Sequence, residues 1–236
     1  MNIYAIGDLH LSLNGKVDKP MDIFGLVWEN HVEVMKEHWD QTVREEDVVL
    51  LCGDLSWALK LPEAMDDLDF IHDRPGKKII IKGNHDLWWT SIKKLNALYE
   101  DMYFLQNDFY PLGSVAIAGS RGWLCPGGEE FTKQDMKIYE RELMRMESSL
   151  QAAFLAGYGK NKGAEIIVMM HYPPTNEFLE DSGFTELFHE YGVKKVVYGH
   201  IHGMMNHSKS LKGEKEGISY SLVSFDYVEG KLEKII

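Results

Sequence analysis

Cysteine is scarce in this sequence of 236 residues, which contains two, Cys52 and Cys125, and no C-x-x-C pair. Two isolated cysteines do not form a disulfide framework. Cys52 ends the apolar run VVLLC, where a cysteine usually behaves as a small buried hydrophobic residue. We therefore expect any metal site in this protein to use nitrogen and oxygen ligands.

Long apolar runs are also missing. No stretch of 18 apolar residues occurs, so no transmembrane helix is predicted. The N-terminal MNIYAIGDLH lacks the basic stretch and long apolar run of a signal peptide, which predicts a cytoplasmic protein without membrane association. The formal net charge is −12, which disfavours long nucleic acids, although metal cations could still attract a small anion locally.

Apolar runs that end in glycine or in a polar residue recur along the chain and predict buried strands. These runs are 3–7, 48–53, 79–83, 115–119, 166–171 and 196–199. Apolar residues at helical spacing predict helices at 24–39, 65–72, 136–154 and 184–191. Because strands and helices alternate, the sequence predicts an α/β fold. Residues 219–225 and 231–236 alternate in polarity and predict an edge hairpin.

The chain contains no repeat, no low-complexity segment and no linker rich in proline, glycine or serine. One domain spanning residues 1–236 is therefore predicted. Within it, residues 121–163 are the candidate for a helical insertion or lid, because they place a long helix between two strand signals. Thr132 is expected to cap that helix. The sequence gives no indication of the oligomeric state.

Side chains that bind metals follow nearly every predicted strand. They are Asp8, His10, Asp54, Asn84, His85, His171, His200 and His202. In open α/β sheets, ligands bind outside the carboxyl ends of the strands, so these side chains are expected to converge. Aspartate and histidine suit first-row divalent metals, and a carboxylate can bridge two of them. Because only a few of these ligands are carboxylates, two divalent ions would keep the site positively charged, so that it could attract a phosphate.

Five motifs occur in a fixed order: D-x-H at 8–10, GD at 53–54, GNHD at 83–86, a lone His171 and GHxH at 199–202. This set resembles the calcineurin-like metallophosphoesterases and spans most of the chain. The resemblance implies a four-layer α/β sandwich, in which two mixed β-sheets are flanked by helices. It also implies hydrolysis of a phosphate mono- or diester through in-line attack by a metal-bridging hydroxide.

The same resemblance implies two divalent metal ions and divides the ligands between them. One ion would be held by Asp8, His10 and His202. The other would be held by Asn84, His171 and His200. Manganese is the first expectation for the metal, and iron, zinc, nickel or cobalt also suit these ligands.

Three further residues receive roles from the resemblance. Asp54 would bridge the two ions, His85 would donate a proton to the leaving group, and Asp86 would orient His85. Asn84 and His85 are neighbours, so their side chains are expected to point to different sides.

Two tryptophans and an arginine follow predicted ligand loops or strand ends. Trp57 and Trp123 are interpreted as core packing or as an aromatic wall for an organic leaving group. Arg121 suits either a phosphate clamp or a structural ion pair.

The predicted partner is a small phosphate-ester substrate, with no long nucleic acid and no membrane. The alternative hypothesis is a catalytically weak family member that acts as a binding scaffold. Neither a G-x-S-x-G elbow nor a G-x-x-x-x-G-K-[ST] loop occurs, which disfavours serine hydrolases and P-loop enzymes.

Overall fold

The structure is a computed structural model that describes residues 1–15, 17 and 19–236. The chain divides into two compact units, one formed by Met1–Phe104 with Val223–Ile236 and the other by Leu105–Leu222. Each unit contains one mixed sheet with helices packed on it. The prediction of two mixed sheets flanked by helices is therefore confirmed, whereas a single domain over 1–236 stays a prediction.

The first unit contains a five-stranded sheet in the order β11-β1-β2-β3-β4. Its strands are β1 Ile3–Ile6, β2 Val48–Leu51, β3 Lys77–Ile80, β4 Met102–Phe104 and β11 Glu233–Lys234. Strands β1 to β4 are parallel, and β11 joins β1 in the antiparallel direction. All residues of β1 and β2 are buried, as expected for parallel strands that are covered on both faces.

Three helices belong to the first unit: α1 His31–Thr42, α2 Leu61–His72 and the short α3 Ile92–Leu95. Trp39 of α1 and Leu68 of α2 are fully buried and belong to the same hydrophobic cluster as Val49 and Leu51 of β2. The apolar faces of both helices therefore cover this sheet.

The helix predicted from residue 24 begins later than expected. Asp22–Phe24 and Leu26–Trp28 form separate 3₁₀ turns, and α1 starts at His31. Gly25 has φ 125° and Asn30 has φ 52°, and neither conformation continues a right-handed helix. The three-to-four spacing of apolar residues continues through two positions at which the backbone is not helical, so the predicted helix was too long.

The second unit contains a six-stranded sheet in the order β5-β6-β7-β8-β10-β9. Its strands are β5 Phe109–Leu112, β6 Val115–Ser120, β7 Glu165–Met170, β8 Lys195–Tyr198, β9 Gly213–Lys215 and β10 Ile218–Leu222. Strands β6, β7, β8 and β10 are parallel, and the edge strands β5 and β9 are antiparallel to their neighbours.

The helices of the second unit are α4 Lys133–Leu155, α5 Gly183–Tyr191 and α6 Met204–Ser208. The Thr132 side chain accepts a hydrogen bond from the Asp135 amide, which confirms the predicted cap of α4. Met146 and Leu150 of α4 are fully buried in one cluster with Val168 of β7. The helix therefore crosses between the parallel strands β6 and β7, and a lid role for 121–163 stays a prediction.

The edge hairpin predicted from residues 219–225 and 231–236 is wrong. Strand β10 lies in the second sheet between β8 and β9, whereas β11 pairs with β1 in the first sheet. Alternating polarity indicates that a strand has one buried face, but it does not specify the partner strand.

Among the described residues, no helix combines the length and the apolar character needed to cross a membrane.

Candidate metal centre

The predicted ligands of the first unit lie at one edge of its sheet. Asp8, Asp54 and Asn84 follow β1, β2 and β3, which are adjacent and parallel. Beyond the strands the loops remain hydrogen-bonded to each other, because the Asp8 amide donates to Gly53 O at 2.9 Å and the His10 amide to Asp54 O at 3.0 Å. We call Asp8, His10, Asp54 and Asn84 the carboxylate cluster.

Ligand atoms within the carboxylate cluster are close enough to share a cation. An oxygen of Asp8 lies within 4.8 Å of a His10 ring nitrogen, and Asp8 and Asp54 oxygens also lie within 4.8 Å of each other. Asp8 is 0% exposed and Asp54 is 1% exposed. Two buried carboxylates at this separation repel unless a cation or a proton offsets their charge, so the donor set suits a divalent metal.

The backbone is strained at several predicted ligands. Asp8, His10 and Asp54 have φ of 59°, 48° and 54°, and His200 in the second unit has φ 71°. Positive φ is uncommon in residues other than glycine and costs about 1 kcal/mol or more. Such strain concentrates where the surrounding fold must aim a side chain at a ligand.

Asp86 anchors the loops that carry the carboxylate cluster. Its fully buried carboxylate accepts hydrogen bonds from the amides of Asp54 at 2.8 Å, Leu55 at 2.9 Å and Gly83 at 2.8 Å. The Trp88 indole donates to the same carboxylate at 3.1 Å. A single side chain therefore fixes the loop after β2 against the loop after β3.

Gly83 permits this close approach of the two loops. A Cβ atom at this position would collide with the carboxylate and the amide nitrogen of Asp54. The glycine of the GNHD motif is therefore required by packing against Asp54. Next along the chain, Asn84 is half-buried and His85 is exposed, so the two neighbours have different surroundings.

His85 lies beside the carboxylate cluster. Its amide donates to Asp54 Oδ1 at 2.7 Å, and its ring centroid lies 4.6 Å from that of Trp57 and 5.8 Å from that of His10. The ring is therefore exposed yet packed against an indole. Orientation of His85 by Asp86 stays a prediction, because the hydrogen bonds described for Asp86 serve the backbone of the ligand loops and Trp88.

Trp57 packs against two predicted site residues. Its ring is stacked on His10 at 4.5 Å with an interplanar angle of 18°, and it tilts against His85. The Lys19 amine lies 5.4 Å from the ring centroid. The structure thus gives Trp57 a packing role, and its contact with a leaving group stays a prediction.

The second unit has an equivalent arrangement of loops. His171 and His200 follow the adjacent parallel strands β7 and β8, and Arg121 follows β6. The carbonyl of Arg121 accepts hydrogen bonds from the amides of His171 at 3.1 Å and Tyr172 at 2.9 Å. The amide of Gly199 donates to His171 O at 3.2 Å. We call His171, His200 and His202 the histidine cluster.

Two members of the histidine cluster touch through their rings. His200 Nδ1 lies 3.2 Å from His171 Nε2, and His171 is fully buried. The Tyr172 ring centroid lies 3.9 Å from that of His200. Sequence reasoning missed this contact of Tyr172, although its position directly after His171 was a usable signal.

Arg121 forms the structural ion pair that was one of its two predicted roles. Its guanidinium lies 3.3 Å from Glu142 Oε1, which Arg145 also contacts at 2.8 Å, and Glu142 is fully buried. Burial lowers the pKa of Arg121, while the charge of Glu142 acts in the opposite direction. The guanidinium also lies 4.6 Å from the Trp123 ring, whose indole donates to Asp135. Substrate contacts of Arg121 and Trp123 stay predictions.

Comparison with known proteins identifies relatives of this chain. The family model described as calcineurin-like phosphoesterase matches residues 1–204. The Gene 66 protein of Mycobacterium phage D29 is 36% identical over 101 residues, which cover 42% of this chain and 48% of that protein. The Gene 66 protein of Mycobacterium phage L5 is 33% identical over 87 residues, which cover 36% of this chain and 40% of that protein. The chain thus spans about half the length, or less, of these relatives.

A solved structure has a similar fold. The phosphopantetheinyl hydrolase of Mycobacterium tuberculosis aligns over 100% of this chain and 95% of its own, with a TM-score of 0.56 and 15% identity. At that identity the likeness concerns the fold alone. Since the family model matches most of the sequence, this chain belongs to the calcineurin-like phosphoesterase family.

Proposed function

We propose that this protein hydrolyses a small phosphate ester with the help of two divalent metal ions. The main support for the proposal is that parallel strands in each unit end in a cluster of nitrogen and oxygen donors. Several of these donors lie on a strained backbone. Membership of a phosphoesterase family supports the reaction class. Every proposed ligand position carries an aspartate, histidine or asparagine, which favours an enzyme over a binding scaffold that has lost its ligands.

Residues of both clusters are proposed to bind the two metal ions jointly. Asp8, His10 and His202 would bind one ion, and Asp54 would bridge. The other would be bound by Asn84, His171 and His200. When bound, such ions supply Lewis acidity for the phosphoryl oxygens and lower the pKa of a water molecule. Manganese is the first choice, and the same nitrogen and oxygen donors also suit iron, zinc, nickel or cobalt.

His85 is proposed to complete the reaction as the proton donor. Its exposed ring is held beside the carboxylate cluster by Trp57 and by the hydrogen bond from its amide to Asp54. A positioned imidazole can protonate a departing alkoxide and so assist poor leaving groups most. The chain's own residues then have separate tasks: Asp54 and Asn84 bind metal, and His85 moves a proton.

Hydrolysis of p-nitrophenyl phosphate and bis-p-nitrophenyl phosphate tests the proposal directly. The protein is stripped of metal with a chelator and assayed after adding manganese, iron, zinc, nickel or cobalt in turn. We expect metal-dependent release of nitrophenol, and the better substrate distinguishes a monoesterase from a diesterase. If neither ester is hydrolysed with any of these metals, the binding scaffold is the better description.

The stereochemistry at phosphorus tests the proposed single displacement. Direct attack by water inverts a chiral thiophosphate product, whereas a covalent phosphoenzyme requires two displacements and gives net retention. We expect inversion. A retained configuration would rule out the direct mechanism while leaving the phosphoesterase activity itself intact.

A further inference from the structure

The second unit contains a cavity of about 460 Å³, and His200 and His202 form part of its wall. The other walls come from residues 124, 125 and 128–131, from residues 173 and 175–177, and from residues 206, 209 and 210. This volume is within the range of small-molecule sites. A different cavity of about 530 Å³ lies near the amino ends of β7 and β8 and contains none of the predicted ligands.

Three large apolar side chains line the 460 Å³ cavity. Leu124, Phe131 and Ile201 are half-buried in its lining. The Phe131 ring meets Tyr139 edge to face, with centroids 6.4 Å apart and an interplanar angle of 88°. Cys125 also lines the cavity, and burial raises the pKa of its thiol to about 12, so it stays neutral. The cavity therefore has an aromatic ring, that of Phe131, in the same lining as His200 and His202.

The remaining lining is polar and carries an excess of negative charge. Carboxylates line it at Glu129, Glu130 and Glu177, against one amine at Lys209, among the lining residues that the structure describes. These carboxylates would repel a second phosphate on the ligand. Hydroxyl and amino groups, by contrast, can donate hydrogen bonds to them.

Close contacts between its walls fix the shape of the cavity. The Glu129 amide donates to Glu177 Oε1 at 2.5 Å, and the Asn176 side-chain amide donates to Pro126 O at 3.0 Å. A Cβ atom added to Gly128 would meet Glu177 Oε2 at 2.7 Å, so the two walls touch. A site formed in advance loses little entropy when a ligand binds.

From this cavity we infer that the substrate's leaving group is an uncharged or amine-bearing alcohol of roughly nucleoside size, with a flat apolar face. The inference rests on the proposed function, because it assigns the cavity to the alcohol part of the ester. The apolar face packs on Phe131, and hydroxyl or amino groups reach the carboxylates. Esters whose alcohol part carries a further phosphate are poor substrates.

Binding of the alcohol product alone tests the cavity without hydrolysis. Adenosine is a suitable probe because it is neutral, flat and hydroxylated. Protein loaded with zinc is titrated with adenosine and followed by saturation-transfer NMR. We expect binding that weakens at least about fivefold in Phe131→Ala, since a base gains this much from an aromatic contact. Equal binding by the Phe131→Ala variant overturns the assignment.

Charge selectivity gives a second test that does not disturb the core. Adenosine 5′-monophosphate and adenosine 3′,5′-bisphosphate differ by one phosphate on the leaving group. We expect the parent protein to have a higher kcat/KM for the monophosphate than for the bisphosphate. In Glu130→Lys the ratio of the two kcat/KM values should shift about tenfold towards the bisphosphate. Glu147→Lys makes the same charge change on an exposed face of α4 outside the cavity and should leave the ratio unchanged.

The two readouts separate the inference from the proposed function. Hydrolysis of nitrophenyl esters with no binding of adenosine overturns the cavity assignment and keeps the phosphoesterase. Binding of adenosine that depends on Phe131, with no hydrolysis of any ester, overturns the phosphoesterase and the leaving-group role. An equal shift of the monophosphate-to-bisphosphate ratio in Glu130→Lys and Glu147→Lys overturns the claim that the carboxylates of the cavity set this selectivity.

Discussion

The two ligand clusters are held in place by different kinds of contact. In the carboxylate cluster, the loops after β1 and β2 are joined through backbone groups, but the loops after β2 and β3 are joined through one side chain, Asp86, which accepts hydrogen bonds from backbone amides on both. The loops of the histidine cluster are joined through backbone groups, such as the carbonyl of Arg121 and the amide of His171. A side-chain anchor can be removed by substitution, but a backbone anchor cannot. Sensitivity to mutation should therefore be concentrated in the first unit.

Replacing Asp54 should have the largest effect. Asp54→Ala removes the proposed bridging ligand, so we expect activity below detection and loss of both ions. The matched change in the other cluster, His171→Ala, removes a ligand of one ion and should leave about one ion per chain. Elemental analysis by mass spectrometry measures the difference. Two ions retained in Asp54→Ala would show that the carboxylate cluster does not bridge.

Replacing His85 should slow turnover and leave the metals bound. We expect His85→Ala to lower kcat by about 100- to 10,000-fold for alkyl esters, because no proton donor then assists the leaving group. The loss should be smaller for nitrophenyl esters, whose leaving group needs no proton. Equal losses on both esters would assign His85 to a role other than proton donation.

Replacing Asp86 tests the contrast between the anchors. Asp86→Asn turns an acceptor of several amide protons into a side chain with one acceptor oxygen. We expect activity or metal affinity to fall about 10- to 100-fold, and the free energy of unfolding to fall by about 3 kcal/mol.

The control for Asp86 lies in the second unit. Buried Ser120 accepts from the Gly122 amide at 3.2 Å, beside the backbone anchor of Arg121. Ser120→Ala should cost about 1 kcal/mol and leave metal affinity unchanged, as measured by urea unfolding and metal titration. A comparable loss of metal in both variants would mean that the two anchors do not differ.

Replacing Asp101 should leave the activity unchanged and alter stability alone. Lys78 is 1% exposed, and its amine lies 2.6 Å from Asp101. Burial tends to raise the pKa of Asp101, but hydrogen bonds from Lys78 and His72 outweigh it, so the pKa is lowered. A lowered folded-state pKa contributes stability above the unfolded pKa near 4, and this contribution disappears as the pH falls further.

Asp101→Asn should therefore reduce the free energy of unfolding by about 2 kcal/mol at pH 7, since the Lys78 amine loses its carboxylate partner and keeps hydrogen bonds to the carbonyls of His72 and Arg74. The difference from the parent protein should shrink below about pH 4. Unfolding by urea at both pH values measures it. A difference independent of pH would show that the ion pair contributes nothing to stability.

Much of the site could be read from the sequence because its signals are local. Asp8, Asp54 and His171 each follow a buried strand directly, and parallel strands bring their carboxyl ends to one edge of a sheet. Caps of helices are local too, as Thr132 before α4 and Gly192 after α5 show. The positions of ligand loops at the ends of strands thus followed from short patterns.

Features that depend on distant residues could not be read in the same way. The pairing of Arg121 with Glu142 joins residues 21 positions apart, and Trp57 meets His10 from another loop. The destination of β11 depends on which sheet has an open edge beside β1. In each case the residue type was known, and its partner was set by tertiary packing.

The division of the chain has a consequence for its synthesis. The second unit is continuous over Leu105–Leu222, but the first unit needs Val223–Ile236, whose β11 pairs with β1 at Tyr4 and Ala5. On the ribosome, the later-made unit can therefore finish folding while the earlier one still presents an open β1 edge. An open edge invites aggregation, so nascent chains stalled before residue 233 should be the form that chaperones retain.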